Sequence, residues 1–106
     1  MSLDSLTDQM KSQAALNPPL GYRVLFDLGD DGAILWDGRE TPAEIAVVEG
    51  GADGGGEVDT TLRISVDQLG NLVSGNLDPT LAYMTGKLKI EGSMGVAMKL
   101  AAMLGD

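Results

Sequence analysis

The chain has 106 residues, enough for one hydrophobic core and too few for two independent ones. It contains neither Cys nor His, which excludes disulfide frameworks, thiol nucleophiles, imidazole proton relays and the usual zinc sites. Seven Lys and Arg against sixteen Asp and Glu leave a formal charge of −9, which argues against a bulk electrostatic grip on nucleic acid or anionic membrane.

Leu3, Leu6, Met10 and Ala14 recur at helical spacing, with Ser2 or Asp4 as N-cap and Pro18-Pro19 as the stop. They predict an amphipathic helix near 3–16. Its polar residues include Asp4, Asp8 and Lys11, so it lacks the basic face of a membrane-surface helix, and membrane contact is at most transient. From Tyr22 the period becomes two: Tyr22, Val24, Phe26 and Leu28 alternate with Arg23, Leu25 and Asp27, the pattern of a half-buried strand. Asp31-Gly32 offers the chemistry of a tight hairpin turn into a strand at Ala33–Asp37, and Asp37-Gly38 turns again into a third near Ala43–Glu49.

The acidity is local. Between Asp27 and Asp59 stand ten acids and one base, Arg39, which accounts for the whole net charge; the flanking segments each cancel. A solvated surface is the plain reading, and a docking face for a basic partner the sharper one. Within this region Gly50–Glu57 is almost without side chains. No Lys and Ser or Thr close its glycines, and Glu57 and Asp59 would repel phosphate, so it reads as a crossover loop.

Leu62, Ile64 and Val66 alternate in a fourth strand that runs into a capping box, Ser65 with Gln68, and a helix bearing Leu69, Leu72 and Val73. Gly75-Asn76 ends that helix. Asp78 and Pro79 then open a short helix holding Leu81, Tyr83 and Met84, which Gly86 stops. Lys87–Glu91 is a fifth strand, and Gly92-Ser93 caps a closing helix, Met94 to Leu104. Strands first and helices later predict an α+β layer in which helices cover one face of a sheet.

The closing helix carries one polar side chain, Lys99, so its apolar arc is about 220° wide, roughly twice what one sheet face needs. A branched arc (Val96, Leu100, Leu104) is distinct from a flexible one (Met94, Met98, Ala101). The surplus has three destinations: ordinary core, a second copy of the chain, or a cavity for an apolar ligand. Methionine suits the last because its unbranched, polarizable chain repacks around differing shapes.

The segment Asp78–Leu104 resembles the sterol-carrier-protein type-2 family. The features that carry the likeness are Asp78-Pro79, the run Gly86-Lys87-Leu88-Lys89-Ile90, and the Gly92-Ser93-Met94-Gly95 turn before Ala97-Met98-Lys99-Leu100. Upstream, the helix and three-strand meander match in architecture. The resemblance implies a five-stranded mixed sheet, order 3-2-1-4-5, with helices on one face enclosing an apolar tunnel, in one small, stand-alone, acidic domain over residues 1–106. Candidate walls of that tunnel are Phe26, Trp36, Leu69 and Leu72, with Leu81, Met84, Met94 and Met98 from the later helices. Lys87, Lys89 and Lys99 are candidates to meet a carboxylate or phosphate at its mouth.

The expected function is binding and carriage of fatty acid, fatty acyl-CoA or a sterol-like molecule. The alternative is an accessory or dimerisation domain with a collapsed cavity, its apolar arc given to a second copy or a partner enzyme. Catalysis ranks last, since no carboxylate, Lys, Ser or Tyr pairing has recognisable spacing. No metal, cofactor or nucleic-acid partner is expected. No apolar run nears the roughly 20 residues of a membrane span, and the opening MSLDSLTDQMK lacks a secretory pattern, so the expected compartment is cytoplasmic.

Overall fold

The structure, a computed structural model, describes residues 3–16, 21–39, 44–48 and 57–104. Helix α1 (Leu3–Leu16) is followed by strands β1 (Arg23–Asp27), β2 (Ala33–Asp37), β3 (Glu44–Val48) and β4 (Thr60–Arg63). Helices α2 (Val66–Val73) and α3 (Pro79–Met84), strand β5 (Lys89–Gly92) and helix α4 (Met94–Leu104) complete the order. The strands form one sheet, β3-β2-β1-β4-β5, as the resemblance implies. β1 is central, antiparallel to β2 and parallel to β4, while the β2–β3 and β4–β5 pairs are antiparallel.

Period-two alternation sends Val24, Phe26, Ile34, Trp36, Ile45 and Leu62 to one face, where they are buried. Leu6, Met10 and Ala14 of α1, Leu69 and Leu72 of α2, and Leu100 and Leu104 of α4 join them in one core cluster. α1 lies against β3 and α2, and α4 lies over β4 and β5 and touches the other three helices. The opposite face carries charge. Arg23 stands opposite Asp37 with Nε 3.6 Å from Oδ2, and Arg63 stands opposite Asp27 with Nε 3.5 Å from Oδ2. Leu25, expected on this polar face, is nonetheless buried. It sits on the central strand, where Leu35 and Thr61 flank it from either side.

The two short helices are built by their ends. Gln68 N–H donates to Ser65 Oγ at 3.2 Å, and the Thr80 and Leu81 N–H groups donate to Asp78 Oδ1 at 2.8 and 3.2 Å. Each such cap contributes about 1 kcal/mol. Gly75 and Gly86 adopt φ of 83° and 80°, closing α2 and α3 with paired turns of which Asn76 N–H to Asn71 O and Lys87 N–H to Ala82 O are the outer bonds.

Three local expectations need correction. β5 runs Lys89–Gly92 and not Lys87–Glu91, because the Lys87 and Leu88 N–H groups donate to Ala82 O at the end of α3. The β1–β2 connection is not a two-residue Asp31-Gly32 turn but five residues, Leu28 to Gly32, containing one 3₁₀ turn at Gly29–Asp31. The positive φ angles fall on Gly29 and Gly32, and Asp27 Oδ1 accepts the Gly29 N–H at 3.0 Å, which turns the chain before Asp31 is reached. β4 also ends at Arg63 instead of running to Val66, because the Ser65 cap converts Val66 into the first residue of α2. The second turn and the crossover lie largely outside the described residues: 40–43 and 49–56 are not described.

Candidate functional site

The eight candidate wall residues fall into two sets. Phe26, Trp36, Leu69 and Leu72 are at most 1% exposed and belong to the core cluster, the first two from the sheet and the last two from α2 above it. Leu81, Met84 and Met94 are 57%, 74% and 46% exposed, and Met98 is half-buried. The surface set comes from α3 and α4, which pack on each other. Tyr83 of α3 is also exposed.

The helical wheel explains this. α4 turns Ala97, Leu100, Ala101 and Leu104 into the core, an arc of about 100° at 100° per residue. Met94 and Met98 lie beyond one edge of that arc, and Val96 and Met103, both half-buried, beyond the other. Ala101, grouped at first with the methionines, packs inward because its small side chain admits close approach. The apolar surplus of α4 is therefore real and stands partly uncovered. α3 buries Ala82 alone; with six residues it is too short to cover its own apolar side chains.

One polar group stands out inside the core. Trp36 Nε1 is buried and has no hydrogen-bond acceptor among the described residues, an arrangement that disfavours the indole by about 1–3 kcal/mol.

Open clefts on the described surface include the following. The first, about 350 Å³, is lined by Asp27, Leu28, Gly29, Arg63, Ile64, Ser65, Gly86, Lys87 and Lys89. The second, about 410 Å³, lies beside Tyr22, Arg23, Arg39, Glu57 and Asp59. The third, about 480 Å³, is a polar hollow against Asp67, Asn71 and Asn76 of α2 and its end. None of the eight candidate wall residues lines these three clefts, whereas Lys87 and Lys89, proposed for a ligand's charged end, line the first. Sequence reasoning missed Leu28, Arg63 and Ile64 as lining residues. They meet there because the parallel β1–β4 register sets Asp27 beside Arg63, a long-range pairing that no local pattern encodes.

A second set of ion pairs gathers at the end of β2. Arg39 donates through Nε to Asp37 Oδ1 at 3.0 Å and through Nη2 to Oδ2 at 2.9 Å, a two-pronged grip. These bonds hold the Asp37 carboxyl below the usual carboxylate range, assisted by the Arg39 backbone N–H and the charges of Arg39 and Arg23. Among the described residues no group of three or more Asp or Glu side chains is arranged to hold a metal ion. No helix of the described residues is long and apolar enough to cross a membrane.

Comparison with known proteins gives the arrangement a family. Residues 3–105 match the model of the SCP-2 sterol transfer family. The human hydroxysteroid dehydrogenase-like protein 2 is 40% identical over 107 aligned positions, which cover 95% of this chain but 22% of that protein. The chain thus spans about a fifth of that relative's length. Among solved structures, the sterol carrier protein domain 2 of Helicoverpa armigera superposes with a TM-score of 0.62 at 25% identity, covering 95% of this chain and 80% of that one. Sterol carrier protein 2 like 2 of Aedes aegypti gives a TM-score of 0.72 at 17% identity, covering 95% and 94%, a likeness of fold. By the extent of the family match, over residues 3–105, this chain belongs to the SCP-2 sterol transfer family.

Proposed function

We propose that the chain binds and carries a single-tailed apolar lipid, a fatty acid or fatty acyl-CoA before a sterol, on the side of the sheet that α3 and α4 cover. The observation that carries this reading is the uncovered apolar surface of Leu81, Met84 and Met94 beside half-buried Met98. α3 is the element best suited to shift, since Ala82 is its one buried residue. Parting it from α4 would open a path from these methionines toward Leu69, Leu72 and Phe26. The role is binding without chemistry, in keeping with a lipid-transfer family.

Burying a long acyl chain offers on the order of 10 kcal/mol gross at about 0.8 kcal/mol per methylene. Ordering the tail and the loss of free translation take much of it, which leaves micromolar affinity. Apolar contact is non-directional, so a range of tails should be accepted. Titration with a fluorescent fatty acid tests the reading: saturable binding of one probe per chain, displaced by unlabelled fatty acid, supports it. Absence of saturable binding refutes it.

The same exposed side chains favour a second reading, in which they are covered by another copy of the chain or by a partner enzyme. The human relative, much longer than this chain, supports placement beside an enzyme domain. A mass that doubles with concentration in delipidated protein, without fatty-acid binding, selects that reading.

A further inference from the structure

The cleft beneath the Gly86 turn differs in sign from the rest of the molecule. The chain as a whole is at −9, yet the four charged residues lining this cleft are Asp27, Arg63, Lys87 and Lys89, three cations and one anion. Asp27 is already engaged: Oδ1 accepts the Gly29 N–H at 3.0 Å, and Oδ2 lies 3.5 Å from Arg63 Nε. Arg63 is engaged on its other side by Glu91, with Nη2 3.2 Å from Oε2. Lys87 and Lys89 are exposed and have no carboxylate within ion-pair distance among the described residues. The β4–β5 register moreover sets Lys89 opposite Arg63, whose charge Asp27 and Glu91 already answer, so Lys89 is left as an unpaired cation beside it among the described residues.

The floor of the cleft is apolar. Leu28 and Ile64 line it, and both belong to the core cluster, so here the core reaches a surface hollow rimmed by cations. Gly86, on the rim, is the residue that ends α3. The hollow therefore reaches the end of α3, the helix that also carries the exposed Leu81 and Met84. We infer that this cleft receives the anionic head group of a single-tailed lipid, with Lys87 and Lys89 as its cations and Leu28 and Ile64 as the start of the path for its tail.

The inference rests on the lipid reading above, and the test separates the two. A fluorescent fatty acid and the corresponding fatty alcohol, identical in tail, are titrated into the wild type, into Lys87→Gln/Lys89→Gln, and into Lys11→Gln as a control at an exposed lysine of α1 outside the cleft. The exposed lysines are screened, so the wild type should prefer the acid over the alcohol by about fivefold. The double variant should lose that preference while keeping its affinity for the alcohol, and Lys11→Gln should retain it. Displacement by an alkyl phosphate against an alkyl carboxylate of equal length tells which head group the site holds more tightly. An acid preference that survives the double substitution overturns the head-group site and leaves the lipid reading standing. If neither probe binds the wild type, the lipid reading fails and the head-group site with it.

Discussion

Gly92 faces Thr60 across the β4–β5 pair so closely that a Cβ added to Gly92 would lie 2.7 Å from the Asp59 carbonyl oxygen and 2.9 Å from the Thr60 Cα. Its φ of 104° is also one that side chains disfavour. Both obstacles are backbone, so neither can rotate away. Gly92→Ala should destabilise the fold by about 2–4 kcal/mol, seen as a lower urea midpoint at unchanged slope. A loss below about 0.5 kcal/mol would mean that β5 is not held at this separation.

The two sets of candidate wall residues should respond differently. Leu72→Ala removes buried core volume and should cost about 2–5 kcal/mol of stability. Met84→Ser, at an exposed position, should change stability by less than about 0.5 kcal/mol while weakening fatty-acid binding severalfold. Chemical denaturation and probe titration on the same samples read both quantities.

Met98 lies between those extremes. Replacing it with Trp fills the region where α4 is half-covered, and the added bulk should weaken binding at least tenfold while costing about 1–2 kcal/mol of stability. Equal affinity in wild type and Met98→Trp would place the lipid elsewhere.

Asp37 gives the stability a pH signature. Because Arg39 holds its folded carboxyl below the ordinary value, the unfolded chain takes up its proton first as acid is added. The contribution is complete above the unfolded carboxylate pKa of about 4 and is lost as pH falls through the lower folded value. The Arg39 partner is exposed, so the pair is worth no more than about 1 kcal/mol. Asp37→Asn should cost about that much at pH 7, and the gap should narrow in denaturation curves as the pH falls below the unfolded carboxylate pKa of about 4.

Legibility in the sequence followed the range of the interactions. Ser65 and Gln68, Asp78 and Pro79, and Gly86 act on neighbours within a turn, and each could be read from spacing alone. The bounds of α1 and α4 were equally plain, because their apolar periodicity ends at glycine or proline. Leu25 was misplaced because its burial comes from flanking strands and not from its own alternation. The exposure of Leu81 and Met84 was hidden as well, since a six-residue helix shows too few turns to reveal which side faces out. The cleft at Lys87 and Lys89 depends on the Asp27–Arg63 register, which only the assembled sheet defines. The sheet order itself came from resemblance, since alternation identifies strands without ordering them.

Native mass spectrometry of the protein as purified from cells addresses the carriage of an apolar guest most directly. The structure predicts a population bearing one lipid per chain, lost on delipidation and restored by added fatty acid. A bare chain mass both before and after exposure to fatty acid, accompanied by a dimer that grows with concentration, would contradict it.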